Sequence, residues 1–142
     1  MARTKPNSKY LSLDVGFKRI GIATSLSGII ATPSGIIERK TNRETFKEIE
    51  QLIKKYGIDT IVIGLPLTPE GEKTVMSEKI EKFTEKLKKY LFDKNIKVDT
   101  VFHDEYLTTV TAENLEILKK RKVKDDVAAA VILEQFLNKL TY

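Results

Sequence analysis

The sequence contains no cysteine and only one histidine, His103, among its 142 residues. The absence of cysteine excludes disulfide bonds, thiolate zinc sites and cysteine nucleophiles. A single histidine excludes a metal site built on two histidines of one chain, so any catalytic metal ion would be held mainly by aspartate and glutamate. His103 itself is expected to pack at the end of a strand.

The sequence also lacks a long hydrophobic run. Its longest unbroken apolar stretch, residues 127–133, is far shorter than the roughly 20 residues that cross a bilayer. The first residues, MARTKPNSK, are basic and polar and do not resemble a signal sequence. We therefore expect a cytoplasmic protein without a membrane partner. The 25 Lys and Arg exceed the 20 Asp and Glu, and the net charge of +5 fits a polyanionic partner.

The length predicts one domain, residues 1–142. Alternating apolar residues with short connections predict a three-strand antiparallel meander, after which strands and amphipathic helices alternate. The order β-β-β-α-β-α-β-α-α predicts an α/β fold with a mixed five-stranded sheet, meander plus parallel strands, flanked by helices as in the ribonuclease H-like architecture. The predicted strands are 10–15, 18–25, 34–40, 59–64 and 96–102, and the helices lie within 41–57, along 76–91, and at about 109–119 and 125–140.

Carboxylates occur at three points where a strand ends or a helix begins. Asp14 lies near the end of the first strand, Glu105 follows the last strand, and Asp125 and Asp126 precede an apolar helix. Each has an ordinary structural explanation, as a turn residue, a solvated loop residue or a helix N-cap. Together they can converge at one end of a mixed sheet, where acidic oxygens suit Mg²⁺ or Mn²⁺. Two such ions can activate water to hydrolyse a phosphodiester bond.

A run of basic residues, 119–124, directly precedes Asp125 and carries five cations in six positions. Such a run is usually a solvated surface, but beside a carboxylate site it can bind the phosphates of a nucleic acid. Two further cations closely follow Asp14. The candidates for phosphate contacts are Lys18, Arg19, Lys120, Arg121 and Lys124.

Four ordered segments that span nearly the whole chain resemble the YqgF family, whose members are described as pre-16S rRNA nucleases and as Holliday junction resolvases. The resemblance implies a ribonuclease H-like fold, and it implies that Asp14, Glu105 and Asp125 are the metal-binding and catalytic carboxylates. Asp125 is favoured over Asp126 because the Asp-x-x-Ala-Ala spacing matches the family's last segment. The segments are LSLDVGFKRIGIA (11–23), IVIGLPL with the following EG (61–71), HDEYLTTVTAE (103–113) and KDDVAAAVILEQFL (124–137).

Three features depart from the family pattern. Tyr106 stands where members commonly have arginine, which removes a possible phosphate contact. Thr68 replaces the usual asparagine, and the connection 114–124 is shorter than is typical. These departures bear on the choice of substrate more than on the metal site.

The leading hypothesis is a metal-dependent endonuclease that acts on structured nucleic acid, with precursor 16S rRNA as the substrate. A metal-activated water would be the nucleophile. Asp14 and Glu105 would hold the Mg²⁺ or Mn²⁺ ions, and Asp125 would complete the cluster or orient the water.

Three alternatives stay open at this point. A Holliday junction resolvase would cut branched DNA and would need a dimer to cut two strands symmetrically. A non-catalytic nucleic-acid-binding module would bind RNA without cleaving it. The segment DVGFKRIGIA also resembles the phosphate-binding hairpin of actin-like ATPases, but that fold needs two such domains. We expect RNA or branched DNA as the partner, and a monomer or weak homodimer.

Overall fold

The computed structural model of this chain describes residues 8–106 and 125–140. The predicted helix at 109–119, the basic run before Asp125 and the short connection 114–124 lie outside the described residues. Within those ranges, no helix is both long and apolar enough to cross a bilayer. The elements are β1 (Tyr10–Val15), β2 (Arg19–Ser25), β3 (Thr32–Glu38), α1 (Asn42–Tyr56), β4 (Thr60–Leu67), α2 (Val75–Asp93), β5 (Asp99–Tyr106) and α3 (Asp125–Leu140).

The five strands form one mixed sheet in the order β3-β2-β1-β4-β5. The β1–β2 and β2–β3 pairs are antiparallel, whereas β1–β4 and β4–β5 are parallel. The predicted meander with added parallel strands is therefore confirmed. Parallel neighbours need crossover connections, which α1 and α2 supply.

The helices cover both faces of the sheet. One face carries a core of residues from the sheet, α1 and α2, and the other carries a smaller core of Tyr10, Ala23 and Val62 against α3. A strand that is buried on both faces has apolar residues at consecutive positions. This explains the run of β-branched residues in β4.

Local signals determine where two helices begin and end. The Thr41 hydroxyl accepts a hydrogen bond from the backbone N–H of Glu44 at 3.1 Å, and Gly57 closes α1 with a left-handed φ of 65°. The N-terminus of α2 has a complete capping box, in which Thr74 and Ser77 each bond the other's backbone N–H.

Three strands differ from the sequence prediction by more than one residue. Strand β4 ends at Leu67 and not at residue 64. Strand β3 begins before Pro33 rather than after it, because β3 is an edge strand and tolerates a residue without an N–H. Strand β5 starts later and continues to Tyr106, since its pairing with β4 extends to Leu67. Glu105 therefore lies inside a strand and does not follow it.

Two glycines allow α3 to approach the sheet closely. A Cβ at Gly21 on β2 would overlap the backbone carbonyl oxygen of Asp125, and one at Gly64 on β4 would lie 2.6 Å from the Cδ1 atom of Ile132. The first of these contacts involves backbone, which cannot rotate away. Gly21 therefore determines where the N-terminus of α3 lies.

We predict that Gly21→Ala lowers the free energy of unfolding by about 1–3 kcal/mol or more, because overpacking against backbone forces the helix to shift. Urea denaturation measures the change. Gly64→Ala is the comparison, and its cost should be smaller because the end of a flexible side chain can move. Equal costs for the two variants would contradict this role of Gly21.

Candidate active site

Asp14 is the penultimate residue of β1 and lies on the face of the sheet that α3 covers. Side chains alternate along a strand, so Tyr10, Ser12 and Asp14 share one face. Tyr10 belongs to the core beneath α3, and the Ser12 hydroxyl donates to the carbonyl of Ala129 on α3 at 2.7 Å. The aspartate is thus held on a rigid central strand, at its carboxyl end.

Glu105 lies on the same face, on the edge strand β5. His103, two residues earlier, is buried and its Nε2 atom is 3.2 Å from Oε1 of Gln135 on α3. His103 is packed, as expected, but it lies within β5 and not at the end of the strand. By strand alternation, Glu105 also faces the side of the sheet that α3 occupies, one residue short of the end of β5.

The charges of Glu105 and Asp14 interact across strand β4. Burial, followed by the negative charge of Asp14, raises the pKa of Glu105 to about 7. No salt bridge to Glu105 occurs within the described ranges. The like charges of Asp14 and Glu105 repel each other when both are ionised, and a bound metal cation would relieve that repulsion.

The two aspartates at the start of α3 have different surroundings. Asp126 is buried, and its Oδ2 atom accepts the backbone N–H of Gly35 on β3 at 3.1 Å. Its other oxygen, Oδ1, is buried without a hydrogen-bond partner among the described residues. Asp126 thus joins the helix to the edge of the sheet.

Asp125 is only partly buried, and its backbone lies beside Gly21. Gly21 is the cross-strand partner of Asp14 in the β1–β2 pair. The fold therefore brings the first turn of α3 to the strand position next to Asp14. Asp125 is the less buried of the two aspartates, and its choice over Asp126 as a metal ligand stays a prediction.

The donor set consists of hard carboxylate oxygens, which suits Mg²⁺ or Mn²⁺. Across residues 8–106 and 125–140, no three His, Asp or Glu side chains are grouped closely enough to hold a metal ion as they stand. Asp14 and Glu105 interact electrostatically, and Asp125 lies near Asp14 through its backbone. A three-carboxylate metal centre therefore stays a prediction.

Two of the basic candidates are described: Lys18 lies in the turn after β1, and Arg19 is the first residue of β2. Lys18 and Arg19 are both exposed, and the Arg19 Nε atom is 3.4 Å from Oε1 of Glu38 on β3. Exposed ion pairs of this kind are weak, and phosphate binding by Lys18 and Arg19 stays a prediction. Lys120, Arg121 and Lys124 lie outside the described residues.

Two departures from the family pattern have structural roles. The Thr68 hydroxyl accepts the backbone N–H of Glu72 at 3.0 Å and so closes the turn after β4. Tyr106 is 55% exposed at the end of β5 and lies beside Gly71 of that turn. Both residues therefore contribute to the turn that follows β4.

Sequence reasoning missed Arg39, which follows β3. Its Nη1 atom donates to the carbonyl of Gly16 at 2.7 Å, and its guanidinium lies 4.9 Å from the centre of the Phe83 ring. Arg39 thereby holds the turn that follows Asp14. No local pattern reveals this contact, because the two residues are 23 positions apart.

Comparisons with known proteins agree on one family. The family model described as "RuvX: Holliday junction resolvase" matches residues 8–139. A "Putative pre-16S rRNA nuclease" of Caldanaerobacter subterraneus is 40% identical over 138 residues, covering 92% of this chain and 96% of that protein. A protein of the same name from Clostridium acetobutylicum is 40% identical over 139 residues, covering 93% and 99%.

Solved structures support the fold. RuvC of Thermus thermophilus, in a complex with a Holliday junction substrate, has a TM-score of 0.55 at 6% identity and covers 94% of this chain and 96% of that one. The fowlpox virus Holliday junction resolvase has a TM-score of 0.52 at 13% identity, covering 93% and 99%. At such identities the likeness concerns the ribonuclease H-like fold alone.

We predict that metal-free protein loses stability as the pH rises from about 4.5 to about 7 through Glu105. In this window the folded state keeps a proton that the unfolded chain has released, so raising the pH favours unfolding. Glutamine cannot ionise, so Glu105→Gln should remove this pH-dependent loss of stability. Melting temperatures measured in chelator across that range test it. Glu70→Gln, in an exposed loop, should show the same dependence of melting temperature on pH as the wild type. If Glu105→Gln also shows the wild-type dependence, the prediction is contradicted.

We also predict that Asp126→Ala lowers the free energy of unfolding by about 1–3 kcal/mol, because it leaves the N–H of Gly35 without its acceptor. Asp126→Asn keeps an acceptor oxygen and should cost less. Asp125→Ala is the matched control, with a smaller cost because Asp125 is only partly buried. Chemical denaturation of the three variants decides the matter, and equal losses at 125 and 126 would contradict the structural role of Asp126.

Proposed function

The chain belongs to the RuvX family, and from this premise we propose that it is a metal-dependent endonuclease that processes the 5′ end of precursor 16S rRNA. The observation that carries the proposal is the interaction of Glu105 with Asp14 at the carboxyl ends of β5 and β1, where the pKa of Glu105 rises to about 7. The names of the relatives support the substrate. Such a substrate implies a cytoplasmic protein.

Asp14, Glu105 and Asp125 are the residues that would hold Mg²⁺ or Mn²⁺ and act as the catalytic carboxylates. Bound divalent ions would supply a water nucleophile at neutral pH and stabilise the charge on the phosphate. Asp14 is positioned by the central strand β1 and Glu105 by the edge strand β5. Asp125 is positioned by α3, whose close approach to the sheet depends on Gly21. Each comes from a different rigid element, which favours a precise site.

The substrate backbone would be held by cations that lie next to Asp14 and Asp125 in the sequence. Lys18 and Arg19 follow β1, and Lys120, Arg121 and Lys124 precede α3 in the sequence. Lysine and arginine contacts to phosphates position a nucleic acid without reading its sequence. This arrangement suits an enzyme that recognises the structure of its substrate.

A second candidate is Holliday junction resolution, favoured by the description of the matching family. That activity needs two active sites acting on one four-way junction, and hence a homodimer. An RNA-processing nuclease can act as a monomer. The two functions therefore differ in substrate and in stoichiometry.

The test is cleavage of a precursor 16S rRNA 5′ leader beside a four-way DNA junction, with Mg²⁺ or Mn²⁺ added. We predict metal-dependent cleavage of the RNA. Asp14→Asn should reduce the rate by several orders of magnitude without unfolding the protein, because it removes a negative charge from the proposed metal site. Asp104→Asn is the matched control, since Asp104 is exposed and alternates to the other side of β5.

Gel analysis of end-labelled substrates measures the rates. Preferential symmetric cutting of the junction would replace the proposed function by the second candidate. Metal-independent cleavage, or unchanged cleavage by Asp14→Asn, would overturn the metal mechanism.

A further inference from the structure

A pocket of about 290 Å³ lies beside the turn that follows β1, on the face of the sheet that α1 and α2 cover. Asp14 faces α3, and Val15 alternates to the opposite side and forms part of the pocket wall. The pocket is therefore separate from the carboxylates yet begins one residue away from them. Its lining residues are Val15, Phe17, Arg39, Lys40, Met76, Lys79 and Ile80.

Three of these residues are cations from two separate parts of the fold. Arg39 and Lys40 follow β3, whereas Lys79 lies in the second turn of α2. Within the described parts of the chain, none of the three forms a salt bridge to a carboxylate. The pocket therefore presents positive charge that the protein does not neutralise there, which favours an anionic ligand.

An exposed aromatic ring stands at this pocket. Phe17 is 66% exposed in the turn between β1 and β2, and the Nζ atom of Lys79 lies 4.6 Å from its ring centre. The turn itself is held by the 2.7 Å hydrogen bond from Arg39 to Gly16 and by a backbone bond from Arg39 to Lys18 at 2.8 Å. An aromatic side chain is thus presented to solvent on a fixed turn, beside cations.

We propose that this pocket binds unpaired nucleotides of the substrate next to the cleaved bond, with a base stacked on Phe17 and phosphates held by Lys40, Lys79 and Arg39. Aromatic rings beside basic side chains are the usual means of binding single-stranded nucleic acid. A base inside a duplex is already stacked on its neighbours, so Phe17 is suited to a strand whose bases are free. The inference rests on the proposed function and deepens it.

The position of Phe17 fits a subsite close to the reaction centre. Phe17 is the third residue after Asp14, a distance of at most roughly 10 Å along the chain. Gly16 lies between them, where a Cβ would come 2.8 Å from the carbonyl oxygen of Arg19. A nucleic-acid strand bound at both places would run from the carboxylates over this turn to the face of the sheet that α1 and α2 cover.

Binding measured in chelator tests the inference without requiring cleavage. The probes are a labelled single-stranded RNA, the DNA of the same sequence and a blunt duplex. Fluorescence anisotropy measures the affinity of the protein for each of them. Phe17→Ala should weaken single-strand binding roughly 5- to 100-fold, the usual effect of removing a stacking aromatic, and should affect the duplex much less. Phe17→Tyr should retain the affinity. Phe92→Ala is the matched control, since Phe92 is 80% exposed near the other end of α2.

The proposed phosphate contacts of the lysines are tested in the same assay, by measuring affinity at several salt concentrations. Lys40→Gln with Lys79→Gln should lower the dependence of log affinity on log salt by about 1.4, which corresponds to two lost single-strand phosphate contacts. Lys88→Gln with Lys89→Gln removes the same charge from exposed positions further along α2 and should leave the slope near that of the wild type.

The inference is overturned if Phe17→Ala binds single strands as the wild type does, or if it weakens duplex binding equally. Equal salt slopes for the two double variants would overturn the phosphate contacts. If the protein cleaves RNA but its single-strand binding does not depend on Phe17, this inference alone is rejected. Binding that depends on Phe17 without any cleavage would reject the proposed function alone.

Discussion

The close contact between the first turn of α3 and Gly21 is the constraint on which the site depends. Gly21 pairs with Asp14 across the β1–β2 ladder, so a helix that rests on Gly21 begins beside Asp14. Any side chain at this position would displace the helix, since the contact is with backbone. Asp126 reinforces the arrangement by bonding Gly35 on the edge strand β3. The start of α3 is thereby attached to two strands.

The electrostatics of the site follow from this placement. Two carboxylates on strands separated only by β4 share a partly buried space, and burial with the charge of Asp14 raises the pKa of Glu105 to about 7. Protonation and cation binding are competing ways to relieve that repulsion. A divalent cation would therefore bind more strongly as the pH rises and Glu105 loses its proton.

The turn after β1 connects two surfaces of different character. Asp14 directs its charge to the side of α3, whereas Phe17 and its neighbouring cations lie with α1 and α2. Arg39 fixes the turn between them through the carbonyl of Gly16. A nucleic-acid strand that crosses this turn would meet the proposed metal-binding carboxylates on one side and the proposed phosphate-binding cations on the other.

The sequence by itself determined the order of the described elements, the mixed sheet and the identity of the candidate carboxylates, because periodicity, caps and the four family segments are local patterns. Only the tertiary structure decided that Glu105 lies inside β5, because strand length depends on pairing with β4. It also separated the roles of Asp125 and Asp126, which are adjacent in sequence but differ in burial and partners. The cations around Phe17 come from distant segments, and only packing brings them together.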